Sequence, residues 1–120
     1  MKPKSTHGLK RIFNATRYSW QGLVAAFKNE AAFREEILLA AVMLPVAFWL
    51  DVTQVERILL IATVVLVLIV ELINSAVEAV VDRIGSERHE LSGRAKDIGS
   101  AAVLLAMLLT AYTWATILFF

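Results

Sequence analysis

The 120-residue sequence has no cysteine, which excludes disulfides, thiolate catalysis and Cys-ligated zinc and leaves the redox compartment unread. It has almost no net charge, +1 at pH 7, so its charge balance points to no nucleic-acid partner and none is expected. GxxxxGK followed by Ser or Thr is missing, as is any GxGxxG after a strand, so the usual nucleotide-binding signatures are absent. The basic first ten residues lead into an amphipathic stretch, not a continuous apolar core with a small-residue cleavage site. No cleaved signal peptide is therefore expected.

What the sequence does have is hydrophobic residues, 58% of the chain against an ordinary ~45–50%, gathered in runs. Ile37 to Leu50, Ile58 to Val70 and Ile98 to Phe120 hold no formal charge over 14, 13 and 23 residues. Crossing about 30 Å of hydrocarbon takes roughly twenty residues. The first run reaches that length by extending back through Ala31, Ala32 and Phe33, which leaves Arg34, Glu35 and Glu36 near the interface. Pro45 is expected to kink or loosen this helix. The polar turn DVTQVER follows, with Asp51 or Thr53 available to cap the next helix.

Ahead of the first run, Leu9, Ile12, Phe13, Trp20, Leu23, Val24 and Phe27 share one helical face, with Lys10, Arg11, Arg17 and Lys28 off it. A basic amphipathic helix of this kind lies in a membrane interface. Met1 to His7 is polar, contains Pro3 and is expected to be a frayed end. The length allows one domain. The sequence thus predicts an all-α membrane protein with a single membrane domain over 1–120. It comprises an N-terminal amphipathic surface helix over 8–28, three transmembrane helices over 31–50, 55–82 and 97–119, and a cytoplasmic loop over 83–96.

Orientation follows from Lys and Arg. Eleven of them precede the first span or occupy the 83–96 loop, and only Arg57 lies on the other side. The amino terminus and that loop are therefore expected in the cytoplasm. Nearly all the unusual polar residues then fall in one layer at the cytoplasmic interface.

The second span carries the most informative pattern. At about 100° per residue, Glu71, Asn74, Ser75, Glu78 and Asp82 form one polar stripe on an otherwise apolar helix. An acidic residue at a bilayer centre costs roughly 3 kcal/mol, less near the interface, and such residues usually mark function. Carboxylates on one stripe resemble a cation site. With Lys and Arg nearby they fit a magnesium-bound polyphosphate, since Mg²⁺ takes one or two carboxylates and fills its shell with water and phosphates. A kinase acting on a lipid at the interface fits these parts.

The segment VELINSAVEAVVDRIGSERHELSGRAKDIGSAA resembles the signature of the prokaryotic integral-membrane diacylglycerol kinases. YSWQGL, NEAAFREE and DVTQVERILL extend that resemblance over essentially the whole chain. The resemblance implies a homotrimer in the bacterial inner membrane with active sites between protomers. There the γ-phosphate of Mg-ATP would pass to the hydroxyl of diacylglycerol, giving phosphatidic acid for lipid recycling and phospholipid synthesis. It further implies catalytic roles for Glu71, as general base, and for Asn74, in support of the carboxylates. Glu30 and Glu78 would hold Mg²⁺ and, with Arg11, Tyr18, Glu87, Arg88, His89, Lys96 and Asp97, contact ATP. The lipid would lie along Arg11, Thr16, Arg17, Tyr18, Ser19, Trp20, Val24, Ala25, Ala26, Phe27, Ala32, Phe33, Arg34, Glu35 and Glu36, reaching Glu71 and Ser100.

Two other readings stay open at this point. Related enzymes phosphorylate undecaprenol, a polyprenol that also presents one hydroxyl at the interface. A non-enzymatic scaffold or cation-pathway subunit could also be built around the acidic stripe, although a pathway would need polar residues across the whole bilayer. Apart from Ser100 near the start of the third run, isolated Thr, Tyr and Trp are the only polar side chains in the second and third apolar runs.

Overall fold

A computed structural model describes residues 8–85 and 89–120. They form four helices, α1 (Gly8–Asn29), α2 (Ala31–Trp49), α3 (Gln54–Ile84) and α4 (Glu90–Phe119), and no strand is present among the described residues. The all-α class expected from the sequence is therefore the one observed. α3 is the hub: it packs against each of the other helices, and α4 packs chiefly against α3.

Two helices, α3 with 31 residues and α4 with 30, are long and apolar enough to cross a membrane. α2 is shorter, 19 residues, and has Arg34, Glu35 and Glu36 near its start. It stays helical through Pro45, whose missing N–H deprives the Ala41 carbonyl of its usual helical donor.

Of the two candidate caps for α3, Thr53 is the one used. Its hydroxyl accepts from the Glu56 N–H at 3.1 Å, and its own N–H donates to the Glu56 carboxylate at 2.9 Å, a reciprocal capping box. The start of α4 differs from expectation. Most of the 83–96 interval read as loop is helical, because α3 continues to Ile84 and α4 already begins at Glu90. The His89 ring accepts the Leu91 N–H at 3.0 Å through Nδ1, and Glu90 pairs with Arg94 at 3.3 Å. These contacts supply the cap and the i,i+4 pair that let a polar, glycine-bearing stretch wind up.

The core lies between α2, α3 and α4, around Ala40, Ala47, Leu60, Val64 and Trp114. Alanines on α2 allow close helix approach where lipid supplies no hydrophobic drive. The polar groups here are satisfied internally, as an apolar layer requires. Trp114 Nε1 donates to the Leu60 carbonyl at 3.2 Å, and the Thr110 hydroxyl lies 3.1 Å from the Thr63 carbonyl and 2.8 Å from that of Ala106.

At the opposite end from the acidic stripe, the Arg57 guanidinium donates to the carbonyls of Ala47, Phe48 and Leu50 at 2.7, 2.9 and 3.1 Å. It thereby closes the C-terminus of α2, whose last carbonyls have no helical donors of their own. Arg57→Met keeps most of the volume and removes the guanidinium nitrogen that serves all three carbonyls. It is expected to cost about 1–3 kcal/mol of stability, read as an earlier midpoint in denaturant titration of the detergent-solubilised protein; an unchanged midpoint would contradict the role.

Candidate functional site

The acidic stripe occupies the last half of α3, and the junction between α1 and α2 folds back onto it. α1 stops at Asn29, and Glu30, in extended conformation (φ −117°, ψ 107°), starts α2. The bend is fastened by Arg34, whose guanidinium donates to the Phe27 carbonyl at 2.7 Å and that of Lys28 at 3.3 Å. Those are terminal carbonyls of α1, where a cation also complements the helix dipole. Arg34 thus fixes the path of the chain through Glu30, a job the sequence did not assign to it.

The bend delivers Glu30 to the stripe. Its carboxyl comes close to Glu78, Ser75 and Asp82, and its proton affinity is raised above the ordinary carboxylate value, first by burial and then by the neighbouring Glu78 and Asp82 carboxylates. Two carboxyl groups held together with a third close by are repulsive when all are charged. A divalent cation between Glu30 and Glu78 would relieve that repulsion, so the donor set fits magnesium, which needs only one or two carboxylates from the protein.

Glu71 lies two helical turns earlier on α3, about 10 Å from Glu78 along the axis at 1.5 Å per residue. It is the most enclosed acid of the stripe, only 5% exposed. Glu36, Glu78, Glu30 and Glu35 are the charged groups that bear on it, so α2 contributes two acids to its surroundings. Between Glu71 and Glu78, Asn74 Nδ2 donates to Glu78 Oε2 at 3.5 Å, while Asn74 Oδ1 is buried without a hydrogen-bond partner among the described residues.

α4 adds one cation to this layer. Lys96 Nζ pairs with Asp82 Oδ1 at 2.9 Å, which brings a positive charge beside the carboxylates. Asp82 was legible as the last member of the stripe, but its pairing across to α4 is not visible from α3 alone. Ser75 was legible as part of the stripe, four residues after Glu71, but its proximity to Glu30 depends on the α1–α2 bend.

On the other side of the stripe, α1 and α3 enclose a cavity of about 570 Å³. Ser19, Leu23, Ala25 and Ala26 of α1 line it together with Glu30 and with Leu72, Ser75 and Ala79 of α3. It is mainly apolar with the Glu30 carboxyl in its lining, a composition suited to a lipid with a polar head. Ser19, Ala25 and Ala26 belong to the stretch expected to contact lipid. Leu9, Ile12, Phe13 and Trp20 remain 60–87% exposed, so these apolar residues of α1 are not covered by the other described residues.

Other expected site residues are not gathered here. Arg11 is exposed toward the start of α1, Arg17 lies over the Tyr18 ring at 5.3 Å, and Asp97 lies in a shallow depression with Glu90 and Arg94 on α4. Ser100 is exposed, and the hydroxyl of Thr16 bonds to the carbonyl of Ile12 in its own helix, as that of Ser19 at the cavity does to Ala15. Val24 is half-buried, Trp20, Phe27 and Ala32 are exposed, and Phe33 is buried in the packing of α2. The His89 ring serves as the α4 cap. Glu87 and Arg88 lie outside the described residues, as does the expected frayed segment 1–7.

Comparison with known proteins places this arrangement in context. A family model described as prokaryotic diacylglycerol kinase matches residues 17–118. The chain is 57% identical over 115 residues to a diacylglycerol kinase of Haemophilus influenzae, covering 96% of this chain and 98% of the relative. It is 58% identical to the diacylglycerol kinase of Escherichia coli K12, over 95% of this chain and 93% of that one. The corresponding figures for a diacylglycerol kinase of Pseudomonas aeruginosa are 59%, 96% and 94%.

Proposed function

This chain belongs to the prokaryotic diacylglycerol kinase family, and from that premise we propose that it transfers the γ-phosphate of Mg-ATP to the hydroxyl of diacylglycerol at the cytoplasmic face of the bacterial inner membrane. The end-to-end similarity to diacylglycerol kinases carries the reading. The acids converging at one level of the helix bundle, with Lys96 beside them, support the residue roles. A scaffold or cation-pathway subunit does not fit membership of a kinase family.

In this reading Glu71 accepts the proton of the lipid hydroxyl as its oxygen attacks the γ-phosphorus. The new O–P bond forms as the bond to the β,γ-bridging oxygen breaks, and ADP leaves. Magnesium, when bound, neutralises charge on the phosphates. Glu30 and Glu78 hold it, and Asn74 orients Glu78. Lys96, released in part from Asp82, supplies a compact positive charge for phosphate. The glycerol backbone lies at the Glu30 end of the cavity between α1 and α3, and the acyl chains run along α1 and α2 over the lipid stretch predicted from the sequence.

The topology that accommodates this has α1 in the interface, α2, α3 and α4 as three spans, and the amino terminus in the cytoplasm, as the Lys and Arg distribution favours. The assembly is a homotrimer with its sites shared between protomers. One chain gathers Glu30, Glu71, Asn74, Glu78 and Lys96 but leaves Arg11, Asp97 and Ser100 on outer faces. Those outer groups are available to a neighbouring copy. So are exposed apolar residues of α3 such as Leu66, Ile69 and Ile73.

The test is phosphate transfer from γ-labelled ATP in detergent micelles with Mg²⁺, offering diacylglycerol, undecaprenol or no lipid in parallel. Label is expected in phosphatidic acid. Label mainly in the polyprenol would keep the mechanism and change the substrate, and a folded protein that labels neither lipid would defeat the proposal.

A further inference from the structure

Gly99 of α4 faces the side chain of Asn74 on α3 across the interface between the two helices. A β-carbon built on Gly99 would fall directly on Asn74 Oδ1 and press on Cγ behind it. By contrast, a β-carbon added at Gly93 of the same helix meets nothing within 4 Å. Gly99 is therefore the place on α4 where a missing side chain is used by a polar group of the site.

What fills that space is the carbonyl end of the Asn74 amide, buried and without a hydrogen-bond partner among the described residues. A buried amide oxygen left unpaired carries an uncompensated desolvation cost, so its orientation needs a reason. The other end of the same planar group supplies one: with Oδ1 lodged against Gly99, Nδ2 is turned toward Glu78. Asn has two side-chain torsions, so moving Oδ1 out of its niche swings Nδ2 as well.

We propose that Gly99 is a positioning residue for the reaction: the niche it leaves on α4 holds the Asn74 amide in the orientation that donates to Glu78. This rests on the reading of Glu78 as a site carboxylate. The obstructed atoms lie at the end of a side chain, not in a backbone. An alanine at position 99 is therefore accommodated by rotating Asn74, and helices tolerate alanine better than glycine. The fold survives and the site is disturbed.

The experiment uses the full-length protein in detergent micelles and reads the Asn74 side chain directly. Its three asparagines are Asn14, Asn29 and Asn74, so asparagine-selective ¹⁵N labelling gives few side-chain NH₂ signals, and Asn74→Ser identifies the pair belonging to Asn74. Gly99→Ala is expected to move that pair while Gly93→Ala leaves it in place. Gly99→Ala is also expected to lower kcat on the order of a hundredfold, the cost of an ångström-scale misplacement, with KM for diacylglycerol unchanged. In the Asn74→Ser background the same change should lower kcat no further, because no amide is left to displace.

An unmoved Asn74 signal in Gly99→Ala, an equal fall in kcat with and without the Asn74 amide, or a Gly99→Ala protein that does not fold would each overturn the positioning role. The wild-type assay with diacylglycerol tests the kinase reading separately, so failure of one is distinguishable from failure of the other.

Discussion

Glu71→Gln is expected to reduce phosphatidic acid formation by about 10²- to 10⁴-fold, the range for losing a positioned general base, while the protein stays folded and still binds Mg-ATP. Glutamine matches glutamate in size and can still accept one hydrogen bond, but it cannot take up a proton at neutral pH. Glu71 is enclosed where α2 and α3 meet, two turns before Glu78 on α3, which in the proposed topology is the side nearer the membrane interior. That is the level at which a lipid hydroxyl would enter. The Glu30 and Glu78 pair stays intact in the variant, so nucleotide binding with magnesium should be retained.

Glu36 is the group that could weaken this expectation, since it is the first carboxylate bearing on Glu71 and could take over as base. Glu36→Gln should then cost far less than Glu71→Gln. The comparison is made from kcat at saturating Mg-ATP and diacylglycerol, with ATP binding measured separately by equilibrium titration. Activity within a few-fold of wild type in Glu71→Gln, or an equal loss in Glu36→Gln, would remove Glu71 from the role of base.

The difference between what was legible in the sequence and what was not follows from the range of the interactions. The acidic stripe could be read because residues three, four and seven apart on a helix share a face whatever the helix packs against. The Thr53 cap was readable for the same reason, since Glu56 lies three residues away. The beginning of α4 was harder. Gly93, Arg94, Lys96 and Asp97 dilute the apolar period, and the contacts that start the helix come from a histidine ring and a surface ion pair.

The site depends on contacts between distant parts of the chain that no periodicity reports. Asp82 meets Lys96, Glu30 meets Ser75 and Glu78, and Gly99 opposes Asn74 only after α1 bends back and α4 docks on α3. Arg34 shows the same limit from another side. Its sequence position reads as an interfacial charge beside the lipid, whereas its guanidinium closes α1. Resemblance to the family supplied the pairing of Glu30 with Glu78, and the fold supplies the bend that brings the two together.

Glu78→Ala addresses that pairing and is expected to have the second large effect, a rise in the magnesium concentration needed for half-maximal activity. Changes to groups that only orient a metal ligand cost about ten- to hundredfold in metal affinity, and loss of a ligating carboxylate should cost at least as much. Glu30 alone would then face the ion, and Asn74 Nδ2 would have lost its acceptor. Asp82→Asn separates charge from coordination. Asp82 stands near the same carboxyls but spends its charge on Lys96 at 2.9 Å. Its loss should therefore alter KM for ATP, through a Lys96 no longer held in place, and leave the magnesium titration near that of wild type. Both titrations are run at fixed total ATP with free Mg²⁺ varied and diacylglycerol saturating. If Glu78→Ala titrates like wild type, the metal is not held by the Glu30 and Glu78 pair. If Asp82→Asn shifts the magnesium midpoint as far as Glu78→Ala does, the ion lies nearer the end of α3, between Glu78 and Asp82, and Glu30 becomes an outer group that senses it through Ser75 and Glu78.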